Sequence, residues 1–191
     1  MSSKGRVIVL KRMVVGDEDL IAKIYGWGGI MTLFVKDGAL IQSKYLGVFE
    51  PFNVIELTYK QTGDIVVPLD VSSVEYMSYL ALEDYERYIW MCHLTNFFIK
   101  WIKHYDQQLF NTFLFYLSAK ITNKTVFYLK FKLDVLKVMG LYEDSIFEKD
   151  IQRAVKTIAE GSWTLLERIR LSKELAQKID SAIETHLENS L

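Results

Sequence analysis

The chain has 191 residues, half of them apolar and 14% aromatic, with a formal net charge of −1. That length buries a substantial core in one domain or two small ones, and the apolar content excludes a disordered chain. The near-neutral balance excludes a protein held to nucleic acid by net charge alone, and a single cysteine, Cys92, excludes an intrachain disulfide and a cysteine-cluster zinc site.

From the N-terminus, residues 6–12 are β-rich and alternate loosely, and Gly16-Asp17-Glu18-Asp19 is a turn. Residues 20–25 alternate again, and Gly26-Trp27-Gly28-Gly29 turns the chain into a third strand over 30–36. Asp37-Gly38 is the next turn. Pro51 opens a fourth strand from Phe52 to Lys60, Gly63-Asp64 turns, and 65–69 is the fifth. Five short strands punctuated by glycine predict a small closed barrel, since closure removes exposed edges. The oligonucleotide-binding (OB) barrel is the commonest five-stranded case.

After Ser73 the apolar period changes from 2 to 3.6, which predicts an α+β chain with a barrel over 1–73 and a helical domain over 74–191. Residues 83–104 predict a helix that is apolar on most sides, as in a central core helix. Residues 108–121 repeat the spacing. Thr125 is placed to cap a third helix over 126–139, which Gly140 follows where a left-handed glycine belongs. Residues 145–160 predict a fourth helix closed by Gly161, and 163–170 a short connector. Ser172 caps the last helix, with Glu174 in its first turn and Leu175, Ile179, Ile183 and Leu187 as its apolar stripe. The most apolar window, 88–102, contains His93, Asn96 and Lys100 and is too short to span a membrane. With no apolar leader in the first residues and one cysteine, the expected compartment is the cytoplasm.

Catalytic chemistry is not legible. The three histidines, His93, His104 and His186, are dispersed, and Cys92 and His93 are adjacent on a helix, so they do not face each other. No zinc site of the usual spacing can be assembled. Gly26-Trp27-Gly28-Gly29 lacks the Lys-Ser/Thr of a phosphate loop and leads into a strand. Two cation sets invite a binding reading. In the barrel, Lys11, Arg12, Lys36 and Lys44 lie near turns where they could meet a phosphate backbone, and Trp27 and Tyr45 could stack bases. The other reading is a mixed-charge surface over core aromatics. Between His93 and Lys137, seven lysines stand against Asp106 and Asp134, with eleven aromatics from Phe97 to Phe131. Lys100 and Lys103 are neighbours on one helix, and Lys130 and Lys137 share a face of another. They could rim an aromatic groove for an acidic peptide or for single-stranded DNA, or they could be solvated faces over an aromatic core.

Several local motifs, in order, resemble the RecO family of recombination mediators. Val7 to Arg12 and then Gly16-Asp17-Glu18-Asp19-Leu20-Ile21 resemble the family's opening strand and turn. Gly28-Gly29 with the apolar strand ending at Lys36-Asp37-Gly38-Ala39, Ser43-Lys44, and Glu50-Pro51-Phe52 through Tyr59 are similar to its next segments. Residues 136–141 and 172–187 resemble its helical part. The resemblance implies an OB barrel before a helical domain. It also implies single-stranded DNA, the acidic C-terminal tail of single-stranded-DNA-binding protein (SSB) and RecR as partners. The expected work is DNA repair by exchange on DNA at the nucleoid, with no cofactor and no covalent chemistry. Many family members carry a cysteine cluster after the position of Leu141; here 142–149 has none, and zinc is not implied. The loop before Ser43-Lys44, often arginine-rich in the family, is Ala39-Leu40-Ile41-Gln42. The alternative from another class is a protein-interaction module whose barrel does not bind DNA.

Overall fold

The computed structural model describes residues 2–191. Five strands form the N-terminal part: β1 (Ser3–Val15), β2 (Asp19–Gly26), β3 (Gly29–Val35), β4 (Val54–Thr62) and β5 (Ile65–Glu75). They close into a barrel in the order β1-β2-β3-β5-β4, with β4 returning to pair with β1. All pairings are antiparallel except the short β3–β5 contact at Thr32–Ile65 and Leu33–Val66. This is an OB-type barrel followed by helices, an α+β chain as the period change predicts.

Alternation builds the barrel interior. Leu20, Ala22 and Ile24 of β2, Met31, Leu33 and Val35 of β3, and Ile55, Leu57 and Tyr59 of β4 all point inward. On β1 the alternation stops, and Val7, Ile8, Val9 and Leu10 are all buried. Strands covered on both faces read this way. The chain from Met77 to Phe110 belongs to the same compact unit as the barrel. A 3-10 helix, Met77–Leu82, leads into α1 (Tyr85–Trp101), which Asp84 caps by accepting from the Arg87 amide at 2.7 Å. Tyr25 of β2 packs edge-on against Phe98 of α1, with ring centroids 4.8 Å apart. Its hydroxyl accepts from the Asp106 amide at 3.0 Å and donates toward the carbonyls of His104 and Asp106. Burial pushes its pKa up to about 12.

The sequence reading differs from the structure at identifiable places. β1 and β5 are longer than expected. β4 starts at Val54 rather than Phe52, because Phe52 has a left-handed φ of 78° and its amide donates to Val9 O at 2.7 Å. Pro68 lies inside β5, opposite Tyr59, next to a register shift between Thr58 and Tyr59. A bulge is where a residue without an N–H is tolerated. The compact unit that contains the barrel runs on through α1 to Phe110.

The second unit, Asn111–Leu191, is helical. α2 (Gln107–Ser118) runs into it, followed by α3 (Lys124–Val138), α4 (Lys149–Glu160), α5 (Trp163–Arg168) and α6 (Lys173–Ser190). Asn123, not Thr125, holds the cap position of α3, and its amide donates to Leu166 O and Ile169 O instead of capping. Gly140 ends α3 at φ 70°, with its amide on Lys137 O and that of Leu141 on Leu136 O, a Schellman closure. The predicted helix over 145–160 divides into a 3-10 turn, Asp144–Ile146, and α4. Ser172 caps α6 by accepting from the Leu175 amide at 3.1 Å, and Ile179, Ile183 and Leu187 are buried along it. Among the described residues no helix is long and apolar enough to cross a membrane.

Candidate nucleic-acid interface on the barrel

In a sheet, residues directly opposite each other project from the same face. The register therefore lays out the outer surface of β1, β2 and β3 in rows. Lys11 of β1 stands opposite Lys23 of β2, and Lys23 opposite Thr32 of β3. The Lys23 ammonium donates to Thr32 Oγ1 at 2.7 Å. In the next row Met13, Ile21 and Phe34 stand side by side. Met13 is exposed, and Ile21 and Phe34 are half-buried. Lys36, just past the end of β3, is exposed beyond this row. The surface is an apolar strip with one aromatic ring, bordered by three ammonium groups. OB barrels bind oligonucleotides on the face of strands 2 and 3 and the loops beside it. The flanking turns here are acidic, with Asp17, Glu18 and Asp19 on one and Asp64 on the other. Positive charge on this face thus lies on the strands at Lys11 and Lys23 and just past β3 at Lys36.

Of the barrel residues singled out from the sequence, the structure brings Lys11 and Lys36 to this face and takes the others elsewhere. Arg12 alternates to the other side of β1 and pairs with Glu50, Nε to Oε2 2.9 Å. Lys44 reaches the Leu69 carbonyl at 3.3 Å and lies over the Tyr45 ring. Tyr45 packs on the barrel core beside Phe49, and its hydroxyl donates to Leu69 O at 3.3 Å. Trp27 is stacked on Tyr59, with centroids 4.0 Å apart and planes 15° apart. Gly5 also lies against the ring, where any added Cβ would collide with the indole. Trp27 and Tyr45 are therefore packing residues. Lys23, Met13, Ile21 and Phe34 were missed. Their signal is the period-2 spacing of Ile21 and Lys23, legible once the hairpin register is fixed.

The lysines of the middle segment fall into two different units. Lys100 is exposed in the last turn of α1, over the Trp101 ring at 4.3 Å, but α1 ends at Trp101 and not at 104, so Lys103 is exposed just past the helix, donating to Lys100 O at 3.1 Å. Lys130 and Lys137 do share one face of α3, but both donate to the Ala159 carbonyl, at 3.1 and 2.9 Å. Lys130 also pairs with Asp134 at 2.5 Å, and Asp134 accepts from the Tyr116 hydroxyl at 2.7 Å. Ala159 lies in the last turn of α4, where carbonyls lack helical partners and the dipole favours cations. The pair caps a helix. Lys132, counted from the sequence among the lysines of a basic rim, is buried at 2% exposure between Asp180 and Glu184 of α6, both at 2.6 Å.

No group of three or more His, Cys, Asp or Glu side chains among the described residues is arranged to hold a metal ion. His93 is exposed, and the His186 ring contacts the Leu141 carbonyl at 2.9 Å. No family model matches the chain. It is similar to an uncharacterized protein of Aquifex aeolicus (strain VF5), 38% identical over 137 residues, which is 72% of this chain. The match spans 64% of the length of that relative.

Proposed function

We propose that this protein is a RecO-like mediator of DNA repair and recombination that binds single-stranded DNA on the outer face of β1–β3. The observation that carries the reading is the pair of rows on that face: Lys11–Lys23–Thr32 beside Met13–Ile21–Phe34, on a barrel of OB order. Phe34 stacks a base, and Lys11, Lys23 and Lys36 meet successive phosphates, a sequence-tolerant mode suited to moving between strands. By the same resemblance the protein engages the acidic SSB tail and RecR, and assists recombinase loading or strand annealing without covalent chemistry. For the SSB tail, Lys100 and Lys103 are the better candidates. Lys130 and Lys137 cap α4, so reversing their charge would disturb the fold and would not report on a peptide contact.

The test is titration of a fluorescent single-stranded oligonucleotide with the full chain and three variants. Phe34→Ala should weaken binding by roughly 5- to 100-fold, the range for one lost base stack. Lys23→Glu should weaken it by similar factors on unrelated sequences, and Trp27→Phe should leave it within about twofold, since that ring is packed away. If Lys23→Glu and Phe34→Ala bind like the parent chain, the alternative holds: an interaction module whose barrel does not contact DNA.

A further inference from the structure

Tyr76, Tyr79, Leu82, Tyr85 and Tyr88 recur every three residues across the 3-10 helix and into α1. A 3-10 helix has three residues per turn, so side chains three apart eclipse one another. Tyr76, Tyr79 and Leu82 therefore form one line, which the first turn of α1 extends. The rings of Tyr76 and Tyr79 stack at 5.3 Å. Tyr79, Leu82 and Tyr85 are 64%, 79% and 75% exposed. A contiguous apolar ridge of this kind marks an interaction surface, unlike single exposed apolar residues.

The ridge is itself part of the wall of a groove of about 660 Å³, which Tyr79, Leu82 and Tyr88 line together with Leu10, Lys11 and Phe52. The buried Asn53 ties the 3-10 helix that carries the ridge to the loop at 47–48. Its side chain accepts from the Ser78 amide in the 3-10 helix at 3.0 Å and donates to Gly47 O and Val48 O. The adjacent Phe52 holds its left-handed backbone at the groove wall. The charges are divided: Lys11 is exposed on the groove wall, and Glu83 is exposed next to Leu82 on the ridge. Among the described residues neither is in an ion pair, whereas Arg12, also at the groove, is already paired with Glu50. Glu83, Asp84 and Glu86 along the ridge repel a polyanion.

A groove with an exposed apolar lip, and opposite charges along it, is self-complementary under a two-fold axis, the lip of each copy entering the groove of the other. We propose that, when no DNA occupies Lys11, two copies of this chain associate through this surface, Leu82 and its neighbouring tyrosines of each copy entering the groove of the other and Glu83 of each meeting Lys11 of the other. The surface is small, so association in the micromolar range is expected.

The experiment is sedimentation equilibrium of the full chain, freed of nucleic acid, over a range of concentrations. The expected result is a monomer–dimer equilibrium, weakened at least tenfold by Leu82→Glu, a substitution at an exposed site that leaves the core untouched. Lys11→Glu and Glu83→Lys should each dissociate the dimer, because each homodimer then carries two like-charge contacts. Mixing those two variants should restore a heterodimer, in which both contacts are again of opposite charge. A monomer at every concentration up to about 200 µM, a dimer indifferent to Leu82→Glu, or a mixture that stays monomeric would each overturn the proposal. Circular dichroism on each variant separates loss of association from loss of fold.

Discussion

Lys132 shows what a single residue can hide. In the sequence it is one of seven lysines that give the middle segment its positive balance. In the structure it lies over the Tyr128 ring at 4.6 Å and bridges Asp180 and Glu184, which are four apart and so share one face of α6. Burying an ammonium is costly unless it is paired, and breaking such a pair from one side costs about 3–5 kcal/mol. Lys132→Ala should therefore lower the stability of the chain by about that amount in urea unfolding. Adding Asp180→Asn and Glu184→Gln to the same variant should recover part of the loss, since the two carboxylates are then no longer left without their cation. A Lys132→Ala protein with parental stability would mean that water reaches the ammonium. Charge was legible here and burial was not. The spacing of Tyr128, Phe131 and Lys132 gives no sign of which one faces α6.

At the scale of elements, the legible features were those set by local chemistry. The five strands, their glycine turns, the Ser172 cap and Gly140 all follow from backbone preferences that act over a few residues. Gly140→Ala tests this most cleanly. A Cβ there meets nothing within 4 Å, so the change acts through φ alone. It should cost roughly 1–2 kcal/mol, the penalty of a left-handed conformation for an ordinary residue. A larger loss in urea unfolding would point to rearrangement of the α3 terminus. What sequence did not show was set at a distance. Phe52 departs from its expected strand because its amide is taken by Val9, and the predicted helix over 145–160 breaks before α4. The basic face of Lys130 and Lys137 is correct as a face, yet its charge is consumed by the end of a helix more than twenty residues away in the chain.

For the whole molecule the net charge of −1 limits what binding can look like. The residues through Phe110 carry eleven cations and thirteen acids, so the unit that holds the proposed strand face is itself slightly acidic. The candidate face was half legible for this reason: composition argued against a polyanion partner, and only the strand register collects Lys11, Lys23 and Lys36 on one side. On the proposed reading, a protein of this balance attracts single-stranded DNA through a few local contacts and not through its overall field. Counterion release then fixes the salt dependence. Each phosphate neutralised on a single strand contributes about 0.7 to the slope of log affinity against log salt. Three lysines give a slope of about −2, much shallower than for a strongly basic binder. Lys23→Glu should reduce its magnitude by about 0.7 or slightly more, while Phe34→Ala should weaken binding and leave the slope unchanged, because stacking releases no counterions. A parental slope near zero would remove the lysines from the interface. A slope of about −5 or steeper would require cations beyond these three and would move the binding surface off the barrel face.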